Sequence, residues 1–251
     1  MIIDTQQELF EYLLRHGDTN LVLGHRLSEM CSRGPMLEED IALTNIALDH
    51  IGQAEVLLHY AGEVEAKGRT EDDLSYLRTE KEFCNFRIVE HPNTDFAYVI
   101  ARQFLVDVYQ CLLYQKLQVC NNTMLAGMAQ RFLKETTYHL RHSGAWVERL
   151  GQGTEESHRR IEEAFRVLWP YTPEFFVVLP NASVLYEGGI APNPKDIEME
   201  WNIQVLRVLG KAGLHNPANS VLVDHAPHTE HLSHLLAEMQ YLQRTYPGAK
   251  W

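Results

Sequence analysis

The chain is short of positive charge, of paired cysteines and of the flexible stretches that join domains, and each shortage removes a class of function. Against 34 Asp and Glu stand only 22 Lys and Arg, a formal net charge of −12 at pH 7. Nucleic acid and anionic membranes are bound through clusters of Lys and Arg that neutralise phosphates, so an acidic surface argues against both and favours basic partner surfaces. Cys31, Cys84, Cys111 and Cys120 show no Cys-x-x-Cys spacing; they read as free core thiols of a reducing cytosol, not as a disulfide framework. The first eight residues lack the basic and apolar stretches of a signal peptide. No apolar run is expected to reach transmembrane length, and the expected location is the cytoplasm. Catalytic signatures are missing too. There is no Gly-x-Ser-x-Gly elbow and no cysteine in a catalytic motif. Gly151-x-Gly153 is too short for a dinucleotide fingerprint, and no Walker lysine follows it.

What is present is helix. With 251 residues and 45% hydrophobic content, the chain can bury a sizeable core, and without a Pro/Gly/Ser-rich linker it is expected to form a single domain over 1–251. Thr5-Gln-Gln-Glu8 fits a capping box for a short helix ending near Gly17, and Asp18 then caps a second helix from Leu21 to about Ser32. A long helix is predicted from Glu38 to about Ala66, with its acids in the first turn where the macrodipole favours them. Further helices are predicted over Leu77–Glu90, from Asn93 to about Cys120, over Met124–Leu150 and over Thr154–Trp169. Residues 171–192 are the least regular, with Phe175–Leu179 open to either strand or buried coil. Asn193-Pro194 opens another helix, to about Gly210, and the last runs from about Pro227 to Tyr246. Little alternates with period two. The fold class is therefore all-α, a helical bundle.

Three long helices carry polar groups on their apolar stripes. These are Asp49 and Gln53 on the Glu38–Ala66 helix, Gln103 and Asp107 on the next, and Glu135, His139 and His142 on the fourth. Inward carboxylates suggest a di-metal carboxylate bundle, in which two helices give one Glu each and two give Glu-x-x-His. That spacing is incomplete. Asp49 has Gly52 three residues on, Glu135 has Tyr138, and the literal Glu-x-x-His is Glu155…His158, beside a loop. No metal ligands and no catalytic residues are therefore assigned. Asp49, Gln53, Asp107, Glu135 and His139 are expected to form a vestigial hydrogen-bonded polar network, because a buried carboxylate without a cation must protonate or find donors. The alternative is that some of them face solvent or an interface.

The string from Asp224 to His234 is the most metal-like in the chain. Pro227, Thr229 and Glu230 nevertheless suit a helix entry, and a solvated or partner-facing surface is favoured over a metal site. His228, Glu230, His231 and Glu238 are the candidate partner interface.

Several strings resemble a known family. They are Leu23-Gly-His-Arg-Leu-Ser-Glu-Met-Cys31, Asn45-Ile-Ala-Leu-Asp-His-Ile-Gly-Gln-Ala54, Glu135-Thr-Thr-Tyr-His-Leu-Arg141, Glu187-Gly-Gly-Ile-Ala191 and, most specific, His228-Thr-Glu-His-Leu232 with Leu235–Arg244. In order and spacing, they are similar to the C-type, structural subunits of bacterial ring-1,2-phenylacetyl-CoA epoxidases. The resemblance implies a ferritin-like bundle with additional helices that binds no cofactor of its own. It implies a structural role beside a homologous A-type subunit, which holds the di-iron catalytic site, and a reductase component. Apart from the resemblance, pairing through helix faces often yields a homodimer when a chain is alone as well as a heterodimer with its homologue. The competing reading is a self-sufficient ferritin-like di-metal oxidase or oxygenase. One departure is local: the family's Gly- and Arg-containing turn before His-Thr-Glu-His is replaced here by Val223-Asp-His-Ala-Pro227.

Overall fold

The computed structural model describes residues 5–179, 181–217 and 226–249. Among them there is no strand, and ten α-helices follow one another: α1 Thr5–Ser28, α2 Leu37–Glu65, α3 Glu71–Tyr76, α4 Phe96–Leu117, α5 Thr123–Gly151, α6 Glu155–Leu168, α7 Ser183–Glu187, α8 Lys195–Ala212, α9 Glu230–Met239 and α10 Tyr241–Thr245. Four of them, α1, α2, α4 and α5, are 24, 29, 22 and 29 residues long. That complement of long helices, with shorter ones added, is the all-α, ferritin-like class. The chain gathers into two compact units, one from residues 1–92 and 224–251 and the other from 93–223.

In the first unit α1 and α2 form a hairpin. The expected break near Gly17 does not occur, and α1 runs unbroken from Thr5 to Ser28. Gly17 and Gly24 are there for close helix approach, not for a stop. A Cβ on Gly24 would lie 2.8 Å from Cγ1 of Ile51 and 3.1 Å from the carbonyl of Ala47. Asp18 is not a cap but a buried partner of Arg78. α2 keeps its predicted span and ends at Ala66 in the left-handed conformation, φ 57°. Leu77–Glu90, predicted helical, holds only two 3-10 turns, Glu80–Glu82 and Arg87–Val89. The helix lies earlier, in α3, where Thr70 and Asp73 close a capping box.

The second unit is laid around α4. Its N-cap is Asp95, whose Oδ1 accepts from the Tyr98 amide at 2.8 Å. Asn93, the expected cap, accepts instead from Nη2 of Arg102 at 2.6 Å. α4 is the one helix among the described residues long and apolar enough to cross a membrane, contrary to the expectation that none would be, and 94% of its most apolar window is buried inside the protein. α5, α6 and α8 pack on it. α6 gives way at Pro170 to a 3-10 segment, Trp169–Phe176. Phe175 and Phe176 are buried there, while Val177 and Val178 are exposed, so the run is neither strand nor wholly buried coil. Trp201 of α8 is the hub, in edge contact with Phe175 and Phe176 and donating its indole N–H to the Leu105 carbonyl at 3.1 Å. All four cysteines are free, but only Cys111 is buried; Cys84 and Cys120 are half-buried and Cys31 is exposed, so three of the four are not core thiols.

Two glycines of α5 separate helix propensity from packing. Nothing lies within 4 Å of a Cβ built on Gly127, whereas one on Gly151 would stand 2.4 Å from the Ala212 carbonyl. Gly127→Ala should stabilise by about 0.5–1 kcal/mol. Gly151→Ala should destabilise by about 1–3 kcal/mol despite the same propensity gain. Thermal melts that shift the same way for both would contradict this packing.

Candidate functional site

The buried carboxylates define the polar chemistry of each unit. In the second unit Asp107 of α4 has no exposure at all. Its Oδ1 accepts from Nε2 of Gln103, one turn earlier on the same helix, at 2.7 Å. Its Oδ2 accepts from Oγ of Ser143 on α5 at 2.6 Å. Burial pushes the Asp107 carboxyl up to about 6, with the neighbouring His139 and the hydrogen bonds from Ser143 and Gln103 pulling the other way. Asp107 and His139 of the expected network are thus neighbours, and Gln103 and Ser143 complete the cluster. A serine on a helical stripe carries no signal of its own, so the sequence does not single out Ser143.

The other expected members are placed differently. Glu135 is half-buried, and its carboxylate meets Nε of Arg131 at 3.3 Å. Thr136 and His139 occupy the buried stripe of α5. On α2, in the first unit, Gln53 is buried but Asp49 is only half-buried, and the buried position beside it belongs to His50. The stripe predicted for α2 is one residue out of phase, because Asp49 and His50 straddle its boundary. Nδ1 of His50 donates to Oδ1 of Asn20 at 2.8 Å. His158 of the Glu-x-x-His pair turns Nδ1 to the Gly151 carbonyl at 2.6 Å, and Glu155 is exposed.

The first unit holds the second polar centre. Glu90, without exposure, accepts through Oε1 from Nδ2 of Asn85 at 2.8 Å and from Nδ1 of His228 at 2.7 Å. Its Oε2 accepts from the Thr229 amide at 2.6 Å, and its backbone carbonyl from Nε and Nη2 of Arg26. Nε2 of His228 faces the Phe83 carbonyl at 3.0 Å. Both ring nitrogens therefore point at acceptors, which favours the imidazolium. Burial opposes that charge, but the Glu90 hydrogen bond and charge and the Phe83 carbonyl outweigh it, and the His228 pKa is raised. His228 is accordingly not part of an exposed partner surface; its side chain is enclosed, at 6% exposure, and tied to Glu90. Thr229 caps α9, its Oγ1 accepting from the His231 amide. Glu230 and Glu238 are exposed, and His231 is half-buried with its ring 5.8 Å from that of His91. The Val223–His225 part of the departing turn, and with it Asp224 and His225 of the metal-like string, lies outside the described residues.

Two pH dependences follow, with opposite signs. An acid raised from 3.8 to about 6 by burial keeps its proton in the native state where the unfolded chain has lost it, so its contribution to stability falls by roughly 3 kcal/mol as pH rises through that window. Asn can satisfy both Gln103 and Ser143, so Asp107→Asn should be at least as stable as the parent at pH 7, with the gap closing towards pH 4. A lower melting temperature for the variant at pH 7 would show that the ionised acid is held by its donors. His228, with its raised pKa, contributes stability that is fully present below about 6.5 and lost as pH rises through the native value. His228→Ala should therefore cost most near pH 6 and progressively less at higher pH in denaturant titrations. A cost that grows with pH would contradict the imidazolium pairing.

The whole chain, residues 1–251, matches the sequence profile of a family described as phenylacetic acid catabolic protein. It is 41% identical over 247 residues to the C-type subunit of 1,2-phenylacetyl-CoA epoxidase from Escherichia coli (strain K12), across 97% of this chain and 99% of that relative. The protein belongs to the phenylacetic acid catabolic protein family.

Proposed function

We propose that the chain is a non-catalytic, structural subunit of a multicomponent 1,2-phenylacetyl-CoA epoxidase, working in the cytoplasm in phenylacetate degradation. It would hold a homologous di-iron catalytic subunit in shape, with a reductase component supplying electrons. The observation that carries this reading is the end-to-end match to a C-type subunit of such an epoxidase.

The interior supports the scaffold assignment. Asp18, Glu90 and Asp107 are carboxylates without exposure. The oxygens of each already accept hydrogen bonds: from Arg78 and the Cys84 amide, from Asn85, His228 and Thr229, and from Gln103 and Ser143. A carboxylate met by donors needs no cation to be buried. A self-sufficient di-metal oxidase calls for two Glu-x-x-His pairs in its core. The chain's Glu155 and His158 stand in the first turn of α6 with Glu155 in solvent.

Iron content decides between these readings. After anaerobic Fe(II) loading and desalting, the purified chain should hold well below one iron per molecule, and epoxidation of phenylacetyl-CoA should require the added di-iron subunit. Two tightly held irons per chain would overturn the scaffold reading and make the protein an oxygen-activating enzyme.

A further inference from the structure

In the second unit, α5 and α8 run side by side in the same direction. Gly151 at the end of one meets Ala212 at the end of the other, and Arg141 shares a trough with Gln204 and Arg207. The trough between them measures about 310 Å³ and is floored by Phe104, Val108, Leu140 and Val208. Arg141 stands on one side of its rim and Arg207 on the other, both exposed, and at one end Lys211 pairs with Glu148 at 3.5 Å, which leaves the two arginines as the rim's net charge. Neither arginine has a carboxylate within ion-pair distance among the described residues. Exposed Arg131, Arg159, Arg160 and Arg166, on α5 and α6, by comparison each pair with a Glu one turn away.

Large apolar side chains continue the same faces. On α8, Met199 and Ile203 precede Arg207 at four-residue intervals, and they are 74% and 61% exposed. On α5, Tyr138 precedes Arg141 by three residues and is 55% exposed. Residues three and four apart share a helix face, so both helices present an apolar patch followed by a cation. A protein interface has this make-up: aromatic and Met side chains exclude water at its centre, and charges at its rim steer and register the partner. A groove between two helices takes a third helix by its ridge.

We propose that the α5–α8 trough is the docking site for an acidic amphipathic helix of the partner subunit, its apolar ridge on Tyr138, Met199 and Ile203 and its carboxylates on Arg141 and Arg207. The proposal rests on the reading of the chain as one subunit of a hetero-oligomer, and it adds the surface and the chemistry of the partner segment. Steering by rim charges predicts a strong salt dependence of association.

The test is binding of the full chain to the purified di-iron subunit of the epoxidase, followed by surface kinetics at low and high salt. Arg141→Glu/Arg207→Glu should weaken binding about tenfold or more, chiefly through a slower on-rate, and flatten the salt dependence. Arg159→Glu/Arg166→Glu, which alters arginines already paired on α6, should leave binding within about twofold. Both exposed double variants should keep the parent's melting temperature, which reads folding separately. Parent-like binding by Arg141→Glu/Arg207→Glu would overturn the docking surface and leave the subunit reading standing. Failure of the unaltered chain to bind the di-iron subunit would overturn that reading and this inference with it. A change only in self-association, read by sedimentation, would make the trough a contact between copies of this chain and so overturn the proposal.

Discussion

A carboxylate taken out of water has to be met by donors or keep its proton, and this constraint organises the interior of both units. In the first unit, Asp18 reaches from α1 to Arg78 in the segment after α3. That guanidinium also donates to the carbonyls of Leu74 and Glu82 and lies 4.4 Å over the Phe83 ring. The carbonyl of Arg78 takes Nε2 of Gln240, between α9 and α10, at 2.9 Å. An irregular stretch is thereby tied to three helices and packs Phe83, Phe86, Ile88 and Val89 into the interior. Removing one partner of such a pair leaves a buried charge unmet, which typically costs about 3–5 kcal/mol. In the second unit the demand is lighter. Two neutral donors serve Asp107, and part of the burden falls on the proton.

Helix identity was legible from periodicity and caps, most clearly where a cap has one chemistry. The acids in the first turn of α2, Glu38, Glu39 and Asp40, are one such signal. Asn122 and Thr154, not singled out in the sequence, prove to cap α5 and α6 by accepting from the amide three residues on. The misreadings share a cause: residues that can do two jobs. Gly17 and Asp18 read locally as a stop and a start, yet tertiary packing uses the glycine for helix approach and the acid for an ion pair. In Leu77–Glu90 the charged residues look like a solvated helix face, but Arg78, Arg87 and Glu90 are buried, and their long-range hydrogen bonds compete with the helical ladder.

The polar cluster was half legible for the same reason. Gln103 and Asp107 fall four apart on a helix whose every neighbour is buried, so their inward aim did not depend on phase. Asp49 sits at the edge of its stripe, where a shift of one residue exchanges it for His50. His228 illustrates a different limit. Its string looks like an exposed ligand or contact because Glu90, the residue that explains it, is 138 positions away. With that partner in place, His228 is seen to act inside the protein, while Glu230 and Glu238 of the same string stay exposed. The docking surface proposed above is on two other helices, α5 and α8, whose apolar and basic residues stand open to solvent.

Glu90 and His228 also belong to a unit that is discontinuous along the chain, made from residues 1–92 and 224–251 around an insertion of 93–223. During synthesis from the N-terminus, α1 and α2 leave the ribosome long before their last polar partners exist. The inserted unit, contiguous in sequence, can complete itself first. Until residues 228–240 emerge, Glu90 lacks its imidazolium and the Arg78 carbonyl lacks Gln240. The first unit therefore cannot close its polar pairs until the inserted unit has been made. A truncation of the last helix would be felt at the first one.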